Sequence, residues 1–111
     1  MEILITREPV PPDTLGALAQ AWYGTMVKGV VDIELGDVAL GGEWHMDANT
    51  RLIRGGSRQE DVWGFNIYPK KQGDEAIEYL SLINIRAAQG NHTMDIADPA
   101  IRAKVRAVAA R

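Results

Sequence analysis

The sequence contains no cysteine. This absence excludes disulfide bonds, thiolate nucleophiles and thiolate metal ligands. No apolar run approaches the ~20 residues that a membrane-spanning helix needs. No N-terminal stretch combines a basic start, an apolar run and a small-residue cleavage site. We therefore expect a cytoplasmic protein that has no membrane partner.

Acidic residues outnumber basic ones, with 15 Asp and Glu against 12 Lys and Arg, so the formal net charge is -3 at pH 7. An acidic chain is not attracted to a phosphate backbone, so nucleic acid is not an expected partner. Phosphate-binding glycine loops are absent too, because Gly41-Gly42 and Gly55-Gly56 lack the later Gly or the Lys of those motifs. The missing loop motifs exclude the common nucleotide-binding patterns, and the acidic charge argues against a nucleic-acid partner.

The composition is typical of one folded domain. The chain has 111 residues, of which 46% are hydrophobic and 24% are charged, and this size suits a single hydrophobic core. We expect one domain over residues 1–111.

Two segments have helical periodicity. Pro12 suits a first helical position, and Leu15, Leu18 and Trp22 recur along one helical face, which predicts a helix over residues 12–23. Near the C-terminus, Asp98 caps a second helix over residues 98–110.

Four other segments alternate with a period of two, which is typical of strands. They cover residues 31–35 and 38–45, joined at Gly36-Asp37, together with residues 63–68 and 79–86. A brief strand precedes them at residues 3–5, and residues 47–54 favour a short helix over a strand. The predicted fold is α+β: a two-layer sandwich with a mainly antiparallel four- or five-stranded sheet and two helices on one face.

Alternation predicts that the sheet has one apolar face and one polar face. Asn is depleted in strands, so Asn66 and Asn84 need hydrogen-bond partners on that polar face. One interpretation is a shallow pocket in which Lys28 and Arg86 hold an anion. The alternative is a cross-strand lattice of ion pairs and amides. The predicted polar face contains Lys28, Asp32, Glu34, Glu43, His45, Asn66, Tyr68, Asn84 and Arg86.

Glu43, His45 and Asp47 place two carboxylates and an imidazole at alternate positions. Glu43 could raise the pKa of His45 toward working pH and so allow acid-base catalysis. Zinc or manganese accepts such ligands, but no established metal-site spacing is present and Asp47 also suits a helix cap. We therefore assign no metal site, although the residues leave metal binding open, and the sequence does not identify a cofactor.

Three stretches, GGEWHMDANTRLIRGGS, QEDVWGFNIYP and LINIRAAQGN, resemble a family of small uncharacterised bacterial and archaeal proteins, a domain of unknown function. That family is similar in its Gly-Gly-Glu-x-His-x-Asp, Trp-Gly-x-Asn-x-Tyr-Pro and Asn-Ile-Arg-x-x-Gln-Gly-Asn motifs. The resemblance implies no activity, but it singles out polar residues, several of which alternation also indicates.

The resulting hypothesis is a binding site for a small polar or anionic molecule, with His45 and Glu43 as candidate catalytic residues. The candidate ligand-binding residues are Asp47, Asn66, Tyr68, Asn84, Arg86, Gln89 and Asn91. The alternative is a homodimer in which the same face pairs with a second copy and no chemistry takes place.

Overall fold

The computed structural model describes residues 3–110. Within this range no helix is long and apolar enough to cross a membrane. The elements, in chain order, are β1 (Leu4–Thr6), α1 (Pro12–Trp22), β2 (Val27–Asp32), β3 (Val38–Leu40), α2 (His45–Arg54), β4 (Val62–Ile67), β5 (Ile77–Glu78) and α3 (Pro99–Ala109).

The strands form one five-stranded antiparallel sheet in the order β1-β3-β2-β4-β5. The longest pairing joins β2 and β4, from Val27 opposite Ile67 to Asp32 opposite Val62. The α+β class and the antiparallel sheet are confirmed. So are both predicted helices, which end within one residue of their expected limits.

Helices α1 and α3 cover one face of the sheet. Leu18 of α1 and Val105 of α3 share a core with Trp63 and Phe65 of β4. Phe65 lies against Gly29 on the neighbouring strand, where a Cβ atom would clash with the aromatic ring. This face is therefore the apolar one, as alternation predicted.

Helix α2 covers part of the opposite face. Its residues Ala48 and Leu52 pack on Val30, Ala39 and Val62 of the sheet. The prediction of helix at residues 47–54 is thus confirmed, but the face that was expected to be open and polar carries a second, smaller apolar core.

The strand predicted over residues 38–45 is wrong in its second half. Gly41 and Gly42 both have positive φ angles, +108° and +91°, which other residues rarely adopt. They end β3 at Leu40 and turn the chain into α2. Glu43, His45 and Asp47 therefore do not share one side of a strand. Similarly β2 ends at Asp32 rather than at residue 35.

The strand predicted over residues 79–86 is wrong as well. Strand β5 stops at Glu78, and a single 3-10 turn spans Leu82–Asn84. The Ser81 hydroxyl caps this turn by accepting a hydrogen bond from the Ile83 amide at 3.3 Å. Gly64 of β4 makes room for it, since a Cβ there would lie 2.6 Å from the Ser81 Cβ.

Candidate functional site

A groove of about 450 Å³ opens between the start of α2, the middle of the sheet and the turn after Ser81. Most of its lining is apolar, and four polar side chains, those of Lys28, His45, Asn66 and Ser81, contribute to it. We call it the apolar groove. It is lined by Lys28, Trp44, His45, Met46, Asn66, Leu80, Ser81, Leu82, Ile83 and Met94.

His45 is the first residue of α2 and is buried. Its Nε2 lies 2.8 Å from the Phe65 carbonyl oxygen, which can only accept a hydrogen bond. Burial lowers the pKa of His45, and Lys28 lowers it further, although the Phe65 carbonyl, Asn66 and Glu78 oppose the decrease. The neutral ring therefore carries its proton on Nε2, and Nδ1 is left as a hydrogen-bond acceptor.

Asn66, on β4, is also buried. Its Nδ2 donates to Glu78 Oε1 at 2.8 Å and to the Leu80 carbonyl at 3.3 Å. Its Oδ1 is buried without a hydrogen-bond partner among residues 3–110. An unpartnered buried amide oxygen costs free energy, so this atom is a position where a donor would stabilise the protein.

Lys28 supplies the positive charge of the apolar groove. Burial lowers its pKa, whereas Glu78 opposes that decrease. No carboxylate of the described residues lies within ion-pair distance of Lys28. Glu78 instead accepts hydrogen bonds from Asn66 and Tyr68, and the Lys28 Nζ lies 5.3 Å from the centroid of the Tyr23 ring.

Large apolar side chains surround the mouth of the groove. Leu82 is 71% exposed and Trp44 is 60% exposed, and Met46 and Met94 are also exposed. The sequence analysis named none of these four residues as site residues. A signal was present in Leu82, an apolar residue that alternation over residues 79–86 would place on the same side as Asn84 and Arg86.

Asn84 and Arg86 do not belong to this groove, contrary to the prediction. The Asn84 amide accepts a hydrogen bond from the Gly64 amide at 2.8 Å and donates to the Gly64 carbonyl at 3.0 Å. Arg86 donates to the carbonyls of Val62 and Ile83 and stacks on Trp63, 4.4 Å from the ring centroid. Both side chains pair with the edge of β4 where β5 is too short to do so.

Gln89 and Asn91 also serve the backbone. Gln89 donates to the Glu60 carbonyl at 3.0 Å. The buried Asn91 donates to the carbonyls of Asn84 and Asp95 and accepts from the Ala97 amide at 2.9 Å. These amides fix loops in place, so the structure does not bring them to the candidate site.

The remaining predicted residues lie apart. Asp47 Oδ2 accepts a hydrogen bond from the Trp44 amide at 3.1 Å, which is the capping role weighed against metal binding. Glu43 is exposed, and in the described part of the chain no hydrogen bond joins its side chain to His45. The Tyr68 hydroxyl donates a hydrogen bond to Glu78 at 3.2 Å. No three His, Cys, Asp or Glu side chains in that range gather closely enough to hold a metal ion.

Fold and groove together define a small α+β sandwich with a partly covered sheet face and an apolar groove that includes four buried or half-buried polar side chains. Residues 4–111 match a family described as "Protein of unknown function (DUF5674)". The chain belongs to this family. No curated protein and no solved structure matches it.

Proposed function

We propose that the apolar groove binds a small molecule that has an apolar body and an anionic head group. The observation that carries this proposal is the combination of an exposed apolar rim with Lys28, a half-buried cation that has no carboxylate within ion-pair distance among residues 3–110. The volume of about 450 Å³ is within the range of small-molecule sites.

Two of the four polar side chains, Lys28 and His45, suit different parts of such a head group. Lys28 would attract the negative charge, because an ammonium that has lost part of its hydration gains more from a counter-charge. The unprotonated Nδ1 of His45 accepts hydrogen bonds, so it would favour a ligand that also has a hydroxyl or amide donor.

The sequence predicted a small polar or anionic ligand. The present proposal adds that this ligand has an apolar body as well as an anionic head group. Of the seven predicted ligand-binding residues, only Asn66 lines the groove. Acid-base catalysis by His45 with Glu43 has no comparable support, because no hydrogen bond joins the two side chains in the described part of the chain. We therefore propose binding, without assigning a reaction.

Matched eight-carbon probes test this proposal. Octanoate, octan-1-ol and octylamine share one apolar body and differ in head-group charge. In amide NMR titrations we expect saturable shifts around Met46, Leu82 and Met94, with octanoate binding most tightly. Lys28→Gln should weaken octanoate about tenfold, the typical effect of losing one charged partner, and leave octan-1-ol unchanged.

Two exposed leucines provide a matched pair of variants. Leu82→Glu should abolish binding of both octanoate and octan-1-ol, because the new charge lies at the groove mouth. Leu35→Glu changes an exposed leucine elsewhere and should change neither. The proposal is wrong if no probe binds in a saturable manner, or if the two variants weaken binding equally.

A second candidate function is self-association through the same rim. Exposed apolar groups such as Trp44, Met46, Leu82 and Met94 are typical of contact surfaces. The dimer expected from the sequence would have used Asn84 and Arg86, and both are engaged within the chain. If the rim forms an interface, sedimentation velocity will detect a concentration-dependent dimer that Leu82→Glu dissociates and Leu35→Glu does not.

A further inference from the structure

The apolar groove contains both exposed methionines of the described part of the chain. Residues 3–110 include three methionines, at positions 26, 46 and 94. Met46 is 55% exposed and Met94 is 38% exposed, whereas Met26 is partly buried. Met46 and Met94 line the apolar groove, and Met26 does not. The methionines that solvent reaches most readily within residues 3–110 therefore lie in this one lining.

Hydrogen bonds hold both methionines in place at the groove. Met46 is in the first turn of α2, and its Sδ accepts a hydrogen bond from Asn49 Nδ2 at 3.7 Å. The Met94 carbonyl oxygen accepts hydrogen bonds from the Ser81 amide and from Asn84 Nδ2, both at 3.1 Å. Their shared position therefore follows from the fold, since the two residues come from distant segments of the chain.

The sulfur chemistry of this chain depends on methionine, because the sequence contains no cysteine. A hydroperoxide oxidises a thioether to a sulfoxide. A sulfur lone pair forms a bond to one peroxide oxygen and the O–O bond breaks. The other oxygen leaves as water or an alcohol and takes the proton of the transferred oxygen. The sulfur loses the electron pair that the peroxide gains, so the reaction needs no further reactant.

A sulfoxide changes the groove where the apolar body of a ligand would lie. Oxidation replaces a flexible apolar side chain with a polar one, and Met46 and Met94 share the lining with Trp44, Leu82 and Ile83. A sulfoxide oxygen loses hydration when an apolar chain covers it, and burial of a polar group without a partner is unfavourable. An apolar ligand should therefore bind less tightly after oxidation.

We propose that Met46 and Met94 are modification sites, at which a hydroperoxide forms methionine sulfoxide and so weakens ligand binding in the apolar groove. This inference rests on the proposed function of the groove and adds how binding there is regulated. Both side chains are exposed, so the added oxygen can face solvent without unfolding the protein. The change is reversible, since methionine sulfoxide reductases restore the thioether, with a separate enzyme for each sulfoxide epimer.

Hydrogen peroxide is the probe for the modification itself. Peptide mass spectrometry follows the addition of oxygen at each methionine of the treated protein. We expect Met46 and Met94 to be oxidised several times faster than Met26, because exposure governs the oxidation of sulfur in a folded protein. Saturating octan-1-ol should slow oxidation of Met46 and Met94 and leave that of Met26 unchanged. Equal oxidation rates at these three positions would overturn the proposal.

Octan-1-ol also tests the effect on binding, because it is uncharged and reports on the apolar lining. After oxidation of Met46 and Met94, its dissociation constant from amide NMR titration should increase about tenfold, roughly the effect of losing the apolar contact of one methionine side chain. Treatment with both kinds of sulfoxide reductase and dithiothreitol should restore the original value.

A double variant, Met46→Leu with Met94→Leu, separates oxidation at the groove from damage elsewhere. Leucine is close to methionine in size but has no sulfur, so the variant should bind octan-1-ol and keep its affinity after peroxide treatment. Met26→Leu is the matched control, because it removes a methionine that does not line the groove. It should lose affinity after peroxide treatment as the unmodified protein does.

The outcomes distinguish this inference from the proposed function. If octan-1-ol does not bind the untreated protein in a saturable manner, the proposed function is wrong and the inference fails with it. If octan-1-ol binds but peroxide leaves its affinity unchanged, only the inference is wrong. The same holds if peroxide weakens binding to the double leucine variant as much as to the unmodified protein.

Discussion

Two groups of buried or half-buried polar side chains differ in how completely they are hydrogen-bonded. Asn84 and Asn91 use both the oxygen and the nitrogen of their amides on nearby backbone groups. Asn66 uses only its nitrogen, and Lys28 beside it has no carboxylate within ion-pair distance in the described range. We call these the saturated group and the unsaturated group.

The difference separates two reasons for placing an amide in a buried position. A saturated amide replaces missing backbone pairing, and its loss affects folding. An unsaturated amide already contains one unpartnered atom, so its loss costs the fold less. Both kinds look the same in the sequence, because each is an Asn within or near an alternating segment.

The largest expected effect is on the saturated group. Asn84→Ala leaves the Gly64 amide and carbonyl unpartnered inside the protein, so it should lower the free energy of unfolding by about 2–4 kcal/mol. Asn66→Ala, which changes a buried amide of β4 itself, is the matched variant, and it should cost less because it also removes the unpartnered oxygen. Urea unfolding of both variants measures the difference. Equal losses would remove the distinction between the two groups.

An effect of intermediate size is expected on the pH dependence of the free energy of unfolding, through the titration of His45. Its pKa in the folded protein lies below the ordinary value of 6.5, so the unfolded chain takes up a proton first as the pH falls. Titration of His45 therefore does not change the free energy of unfolding above about pH 7.5. Below about pH 6.5 it lowers that free energy as the pH falls, by at most about 1.4 kcal/mol per pH unit.

The His45→Gln variant isolates this contribution, since Gln keeps a polar group near the Phe65 carbonyl but does not titrate. Urea unfolding at about pH 7.5 and about pH 5.5 should show a smaller loss of stability for the variant than for the unmodified protein. A loss of the same size in both proteins would mean that His45 is not held neutral by burial.

The smallest expected effect is at Glu43, which the sequence assigned to an acid-base pair with His45. Its exposed carboxylate makes no hydrogen bond to other residues of the described range. Glu43→Gln should therefore change the free energy of unfolding by less than about 0.5 kcal/mol and leave the pH dependence of stability as it was. A marked change in that pH dependence would restore Glu43 as a partner of His45.

Much of the fold followed from the sequence. Helical spacing located α1 and α3, and alternation located β2, β3 and β4, because long periodic segments report directly on which side meets the core. The candidate site was harder to predict from the sequence than the fold. Of the residues predicted to bind or act on a ligand, Lys28, His45 and Asn66 line the apolar groove. Asn84, Arg86 and Asn91 instead pair with backbone, since the choice of partner depends on how short β5 is.

The sequence by itself determined the α+β class, the acidic charge, the absence of thiol chemistry and the apolar face beneath α1 and α3, since all of these depend on composition or on local periodicity. Tertiary structure alone decided that Gly41 and Gly42 turn the chain so that α2 covers the other face. It also decided which polar atoms were left without partners. Hydrogen bonds between residues distant in the chain depend on where each strand ends, and a few glycines with positive φ set those ends.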